Sequence, residues 1–349
     1  MPRFTELDGD QIRQMINVEQ VYAAYRAAQA ERRKRFRGSM AWKTVGGHVY
    51  LYKKSAGEWK SLGRRSAETE VTSERFLSGR AAVKERVAAL DATIRRMAPV
   101  NKAMRLGRVP WLPARLLWKL ESRQLLGSAM SVVGTHALYA YERMAGGHFD
   151  GSQVATLDID FLFDARSQLR LAARRAGDEG LQGLLRSVDH SFEPVTPGGY
   201  RAVNNAGFIV DLIRPMPRSP ALGGGRSQVG TAPTDMTAAE IEGLAWLQNC
   251  PQVHQTAIDE RGYPVRLSVP DPRAFALHKL WVSERPDRDR MKARRDAEQA
   301  SAVAGLVQRY LPQLRFDDEA LGALPELLRD RVPELLERAR LDAIRPEEW

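Results

Sequence analysis

Three groups of residues in this 349-residue chain have the types and spacing that phosphate chemistry requires. One is the small-residue turn Gly134-Thr135-His136-Ala137, which follows the strand-like run Ser131–Gly134. Another is Asp158-Ile159-Asp160, and the last is Asp211 inside the apolar run 208–213. Side chains alternate across a strand, so the run Thr156–Phe163 puts Asp158 and Asp160 on one face and Leu157, Ile159 and Phe161 on the other. Two carboxylates so placed can bridge a pair of divalent cations about 4 Å apart. A third from an adjacent strand can complete the cluster and accept the proton of an attacking hydroxyl. Carboxylate oxygens suit Mg²⁺, a hard cation. The turn presents backbone N–H groups and the Thr135 hydroxyl to an anion at a helix N-terminus.

Each group also has an ordinary explanation. An Asp-x-Asp can be a solvated strand face, but a charge within an apolar run is costly unless it meets a cation. Asp211 has salt-bridge partners within reach of the chain in Arg201 and Arg214. Thr135 can cap the following helix, a role compatible with phosphate binding, and His136 reads as a packed residue beside the turn. Lys279 can be an exposed helix lysine, and Asp296, amid Arg290, Lys292, Arg294 and Arg295, a surface ion pair.

On the ordered triple Gly134-Thr135, Asp158-Ile159-Asp160 and Asp211, residues 125–300 resemble the nucleotidyltransferases of the DNA polymerase β superfamily. Within it the chain is similar to a bacterial stand-alone group, and more distantly to abortive-infection type nucleotidyltransferase toxins. Thr stands where the superfamily has Ser, and 23 positions separate Thr135 from Asp158, a long spacing shared with the toxin-like branch. The resemblance implies metal binding by Asp158, Asp160 and Asp211, with Asp211 as base, and phosphate binding by Gly134 and Thr135. It further implies that Lys279 contacts the nucleotide phosphates and that Asp296 lines the site. Two Mg²⁺ ions, or Mn²⁺ in their place, would be the cofactors and an NTP the substrate. A cognate antitoxin would be a partner if the toxin likeness holds.

The elements that must position these residues follow from periodicity and punctuation. Residues 10–37 predict an amphipathic helix ending in the basic cluster Arg32–Arg37, and residues 41–62 two or three short strands. Residues 66–97 predict a helix or helix pair closed by Pro99, and residues 109–125 another helix. After the Gly-Thr turn come a helix to Met144, the acidic strand, a helical stretch over 167–187, and strands near 190–195 and 208–213. A Pro- and Gly-rich surface loop spans 214–235. A helix near 238–248, strands near 253–259 and 265–269, and helices from Asp271-Pro272 onward complete the chain. The expected fold class is α+β: a polymerase β-like mixed sheet flanked by helices (106–270), an N-terminal helix and β-hairpin domain (1–105) and a helical C-terminal region (271–349).

Composition bears on the partners. Lys and Arg number 53 against 43 Asp and Glu, a net charge of +10, and residues 1–120 alone hold 25 against 11. The positive excess is therefore N-terminal, where residues 47–63 read as a basic hairpin with aromatics between its charges, suited to a phosphate backbone or to unpaired bases. Residues 30–65 are the expected surface for a nucleic-acid acceptor such as tRNA; the alternative there is a structural cap on the sheet, with Arg32–Arg37 a solvated helix end. The seven Trp residues read as core or edge packing. The single cysteine, Cys250, can form neither an internal disulfide nor a thiolate zinc site and reads as a core thiol. No run reaches the length of a membrane span, and without a secretory pattern at its start the expected location is cytoplasmic. The expected function is Mg²⁺-dependent transfer of NMP from an NTP to a hydroxyl acceptor, favouring RNA. The alternatives are a protein or small-molecule (aminoglycoside-like) adenylyltransferase, or an inactive nucleic-acid-binding protein of the same fold.

Overall fold

The computed structural model describes residues 4–55, 57–164, 180–217, 228–230, 232 and 234–344. The first part of the helix expected over 167–187, most of the loop 214–235 and Trp349 lie outside the described residues. The chain divides into two compact units, one of residues 10–106 with 261–264 and one holding the remainder.

In the smaller unit, α1 (Gly9–Arg35) carries Asp10 in its first turn and Arg32, Arg33, Lys34 and Arg35 in its last, a charge order that complements the helix dipole. Three antiparallel strands follow: β2 (Ser39–Val45), β3 (His48–Ser55) and β4 (Glu58–Arg64), the label β1 being kept for Phe4–Glu6 in the larger unit. Next is α2 (Ala67–Ala103), opened by a capping box between Ser66 and Thr69. Pro99 does not close this helix but lies inside it. Its missing N–H removes one hydrogen bond, and the buried stripe Phe76, Val83, Val87, Ile94 and Ala98 holds the helix through that defect.

The larger unit is built on a mixed sheet. Its elements in chain order are α3 (Trp111–Ser122), β5 (Met130–Val133), α4 (Leu138–Ala145), β6 (Gly147–Phe149), α5 (Gly151–Val154), β7 (Asp158–Phe163), α6 (Gly180–Val188), β8 (Glu193–Pro194), β9 (Arg201–Val203), β10 (Ile209–Pro215), β11 (Ala239–Ile241), α7 (Leu244–Asn249), β12 (Gln252–Ile258) and β13 (Pro264–Pro270). Helices α8 (Pro272–Ser283), α9 (Arg290–Tyr310), α10 (Glu326–Arg329) and α11 (Val332–Ile344) close the chain. The sheet order is β5-β7-β10-β9-β8, with β11 also on β10. Strand β10 runs parallel to β7 and β11 and antiparallel to β9. This is the α+β class with helices around a mixed sheet. Ile159, Phe161 and Phe163 of β7 and Val210 and Leu212 of β10 are fully buried, which makes one sheet face the core.

Local chemistry moved three expected boundaries. The helix after β5 begins as a tight 3₁₀ turn, Gly134–Ala137, because Gly134 adopts φ +67 and redirects the chain. The helix expected near 238–248 is split by Gly243 (φ 82) into β11 and the short α7. Leu157 is 70% exposed because it precedes β7 and does not share the strand's alternation. Cys250 is a buried thiol, pushed by burial up to about 12. Among the described residues no helix is long and apolar enough to cross a membrane.

Candidate active site

The acidic residues meet through strand register. Asp211 of β10 is the direct partner of Asp160 on parallel β7, and Asp158 lies two residues earlier on the same face. Val133, the last residue of β5, pairs with Asp160 from the other side, so the chain leaves β5 at Gly134 directly beside that carboxylate. A Cβ on Gly134 would stand well inside contact distance of Asp160 Oδ2. Only glycine gives both the left-handed backbone and this approach.

Burial and the neighbouring Asp158 and Asp211 charges push Asp160 up to about 7, against the pull of Lys279 and Arg201. Asp158 accepts a hydrogen bond from Thr156 Oγ1. Asp211 is buried, and both its oxygens are engaged by Arg201 on β9, with Nε at 2.8 Å from Oδ1 and the terminal nitrogen at 2.6 Å from Oδ2. Arg201 and Asp211 are register partners on adjacent strands, which aligns this bidentate pair. Of the two salt-bridge partners within reach of Asp211, Arg201 is the one that engages it. Arg214 instead pairs with Glu240.

The helices behind the sheet bring further groups. Asp271 caps α8 by accepting the Arg273 N–H, and Pro272 occupies the first turn. This fixes the helix that carries Lys279, whose Nζ lies 2.5 Å from Asp296 Oδ1 on α9. Arg288 holds the other oxygen of Asp296 at 2.6 to 2.8 Å. Asp296 is 2% exposed, so it is a buried hub for two cations and not a surface ion pair. Lys279, with 13% of its side chain exposed, is close enough to Asp160 to lower that acid's pKa. Thr135 makes no side-chain cap; its hydroxyl instead accepts from Gln299 Nε2 at 3.2 Å, one turn beyond Asp296. His136 is buried against Tyr139 and Phe208, and burial lowers it to about 4, leaving a neutral imidazole.

The site thus brings together Gly134, Thr135, Asp158, Asp160, Asp211, Lys279 and Asp296. It also contains Arg201, Arg288 and Gln299, to which the reading of the sequence gave no part in the site. Arg201 carries a signal: it and Asp211 are equidistant from the turn between Asn204 and Phe208, so a hairpin through that turn sets them opposite. Gln299 follows Asp296 by three residues and so shares its helix face. Among the described residues no three His, Cys, Asp or Glu side chains form a ready metal cage, since Asp211 is turned to Arg201. The donors are nonetheless carboxylates whose mutual repulsion calls for a cation.

Residues 113–325 match the family described as Nucleotidyltransferase. No curated protein matches the chain. Among solved structures it is similar to an antigenic nucleotidyltransferase-like protein from Paracoccidioides brasiliensis, at 17% identity and a TM-score of 0.31 over 66% of this chain and 94% of that one. A likeness of that size carries no argument about the site.

Proposed function

Because the chain belongs to the nucleotidyltransferase family, we propose that it moves a nucleoside monophosphate from an NTP to a hydroxyl acceptor and releases pyrophosphate. The observation that carries this reading is the register of three acids: Asp160 and Asp211 on paired strands, Asp158 on the same face, and Gly134 against Asp160. The residues that would hold the metal are Asp158 and Asp160, joined by Asp211, and their oxygens suit a pair of Mg²⁺ ions, with Mn²⁺ able to substitute. When bound, Mg²⁺ neutralises charge on the triphosphate as the bond to pyrophosphate lengthens.

The chain's own groups supply the rest. Gly134 and the N–H groups of its turn lie against the phosphates, with the Thr135 hydroxyl beside them. Lys279, held by Asp296, is a point cation for the same charge. Asp296 has both oxygens taken and acts as the holder of Lys279 and Arg288. Arg201 keeps Asp211 aligned through its two hydrogen bonds. Asp211 receives the proton of the acceptor hydroxyl as its oxygen bonds to the α-phosphorus, while the bond from that phosphorus to the β-phosphate oxygen breaks.

For the acceptor we favour RNA, tRNA included, since residues 10–106 hold 21 Lys and Arg against 9 Asp and Glu. Incubation with each α-labelled NTP, Mg²⁺, total RNA, total protein and an aminoglycoside should place label in the RNA. Asp158→Asn and Asp160→Asn should each reduce it at least a hundredfold. No label in any fraction, together with unchanged NTP affinity in both variants, overturns the reading.

A further inference from the structure

Strand alternation gives the β2-β3-β4 sheet two unlike faces. Trp42 and Leu51 are register partners; Leu51 is fully buried, and Trp42 lines a hollow with Glu70, Ser73 and Leu77 of α2. Lys53 shares this face, its Nζ 5.3 Å from the centre of the Phe76 ring on α2. The opposite face carries Lys43, Tyr50, Tyr52, Lys54, Trp59 and Arg64. Register pairs Lys43 with Tyr50, Tyr50 with Arg64, and Lys54 with Trp59. A bulge at Leu51/Tyr52 absorbs Leu62, so Arg64 and Trp59 stay on the same face despite the odd spacing between them. Lys43 Nζ stands 3.7 Å from the centre of the Trp59 ring and 5.3 Å from that of Tyr52, and Lys54 Nζ stands 5.9 Å from Trp59. Trp59 is 38% exposed, Lys54 and Arg64 are exposed, and both tyrosines are half-buried.

We propose that this face binds single-stranded RNA by stacking unpaired bases on Tyr50, Tyr52 and Trp59 while Lys43, Lys54 and Arg64 meet the phosphates; this rests on the RNA-acceptor reading above. Aromatic and cationic side chains alternate here on one surface, which matches the alternation of base and phosphate along a strand. A duplex hides its base faces, and its deep, narrow major groove does not admit side chains, so the three rings have no use against paired RNA. An acidic peptide would satisfy the cations and leave the rings idle.

The test uses the full chain without NTP or Mg²⁺, following the anisotropy of a fluorescein-labelled 12-nucleotide single strand and of its duplex. The single strand should bind at least tenfold tighter than the duplex. Tyr52→Leu with Trp59→Leu, which keeps apolar volume and removes π-faces, should weaken the single strand by tenfold or more and the duplex by less than twofold. Trp59→Phe should retain most of the affinity. Lys43→Gln with Lys54→Gln should flatten the slope of log affinity against log salt by about 1.4, near 0.7 per lost phosphate contact. Single-strand binding unaffected by the leucine pair, a preference for duplex, or equal loss of poly-glutamate binding overturns the proposal. If the pair misfolds by circular dichroism, Trp59→Leu alone, at an exposed position, gives the same decision. Binding that persists where the label-transfer assay fails would refute the catalytic reading and leave this one standing.

Discussion

At the scale of single residues, Gly134 is where backbone and acid chemistry meet. Its φ of +67 and the nearness of Asp160 Oδ2 leave no place for a methyl group. Gly134→Ala should lower stability by roughly 1–3 kcal/mol through the strained backbone. It should also reduce nucleotide transfer a hundredfold or more by displacing Asp160. A melting curve and the label-transfer assay check the two effects, and a fully active variant would show that Asp160 takes no part. Asp160 itself has a pH signature. Its folded pKa, pushed to about 7, exceeds the ordinary carboxylate value of 3.8. Between those values the folded protein holds a proton that the unfolded chain gives up, so this group's contribution to metal-free stability should fall as pH rises from about 4 through 7. Asp160→Asn removes this dependence and should raise the melting temperature at pH 8 above that of the parent. A melting-temperature difference between parent and Asp160→Asn that stays constant from pH 4 to 8 contradicts the burial and like-charge repulsion at Asp160.

The elements explain which parts of the site are legible in the sequence. The β7 acids stand out because strand alternation separates Asp158 and Asp160 from the buried Ile159 and Phe161. Asp211 stands out because it interrupts an apolar run. Strand β9 does not, because the four residues between Gly199 and Asn204 are too few for any period, and the pairing of Arg201 with Asp211 is legible only through the turn between Asn204 and Phe208. The Lys279–Asp296 pairing is equally hidden in the sequence, since it depends on how α8 packs on α9, and neighbouring charges suggest a solvent-exposed pair instead. That packing also buries His278, whose imidazole meets Trp246 and Trp281 and is lowered to about 3 by burial, with Lys279, Arg288 and Arg285 adding to the effect and Asp296 opposing it. An imidazole neutral when folded and ordinary (6.5) when unfolded contributes stability that is full above pH 6.5 and lost as pH falls toward 3. Between pH 7 and 4 the urea midpoint of the parent should therefore drop relative to that of His278→Leu. Loss of Lys279 acts differently. Lys279→Gln should leave Asp296 with Arg288 alone and weaken NTP binding about tenfold, with RNA binding unchanged in the anisotropy assay.

For the molecule as a whole, the net charge of +10 is uneven. Residues 10–106 carry the excess, whereas the unit with the sheet concentrates acids at Asp158, Asp160 and Asp211, with Lys279 and Arg201 as the positive charges near them. On the proposed function two binding tasks fall to two compact units, and charge substitutions should separate them. Within the basic unit the faces are unlike. Lys54 projects with Trp59 on the open side of the sheet, whereas Lys53 lies over Phe76 on the side of α2. Adjacent lysines of equal formal charge should then behave differently. Lys54→Gln should weaken single-stranded RNA binding severalfold at 0.1 M salt and reduce its salt dependence. Lys53→Gln should change RNA binding less than twofold and act chiefly on thermal stability, through the lost contact with Phe76. Neutralising Arg32, Arg33, Lys34, Arg35 and Arg37 together should weaken binding through long-range attraction alone. That effect should vanish near 0.5 M salt, where screening reaches within about 4–5 Å. NTP affinity, measured calorimetrically on the same variants, should stay within twofold of the parent throughout. Equal loss of RNA and NTP binding in these variants would place the basic unit in the service of the nucleotide site and overturn the division of tasks.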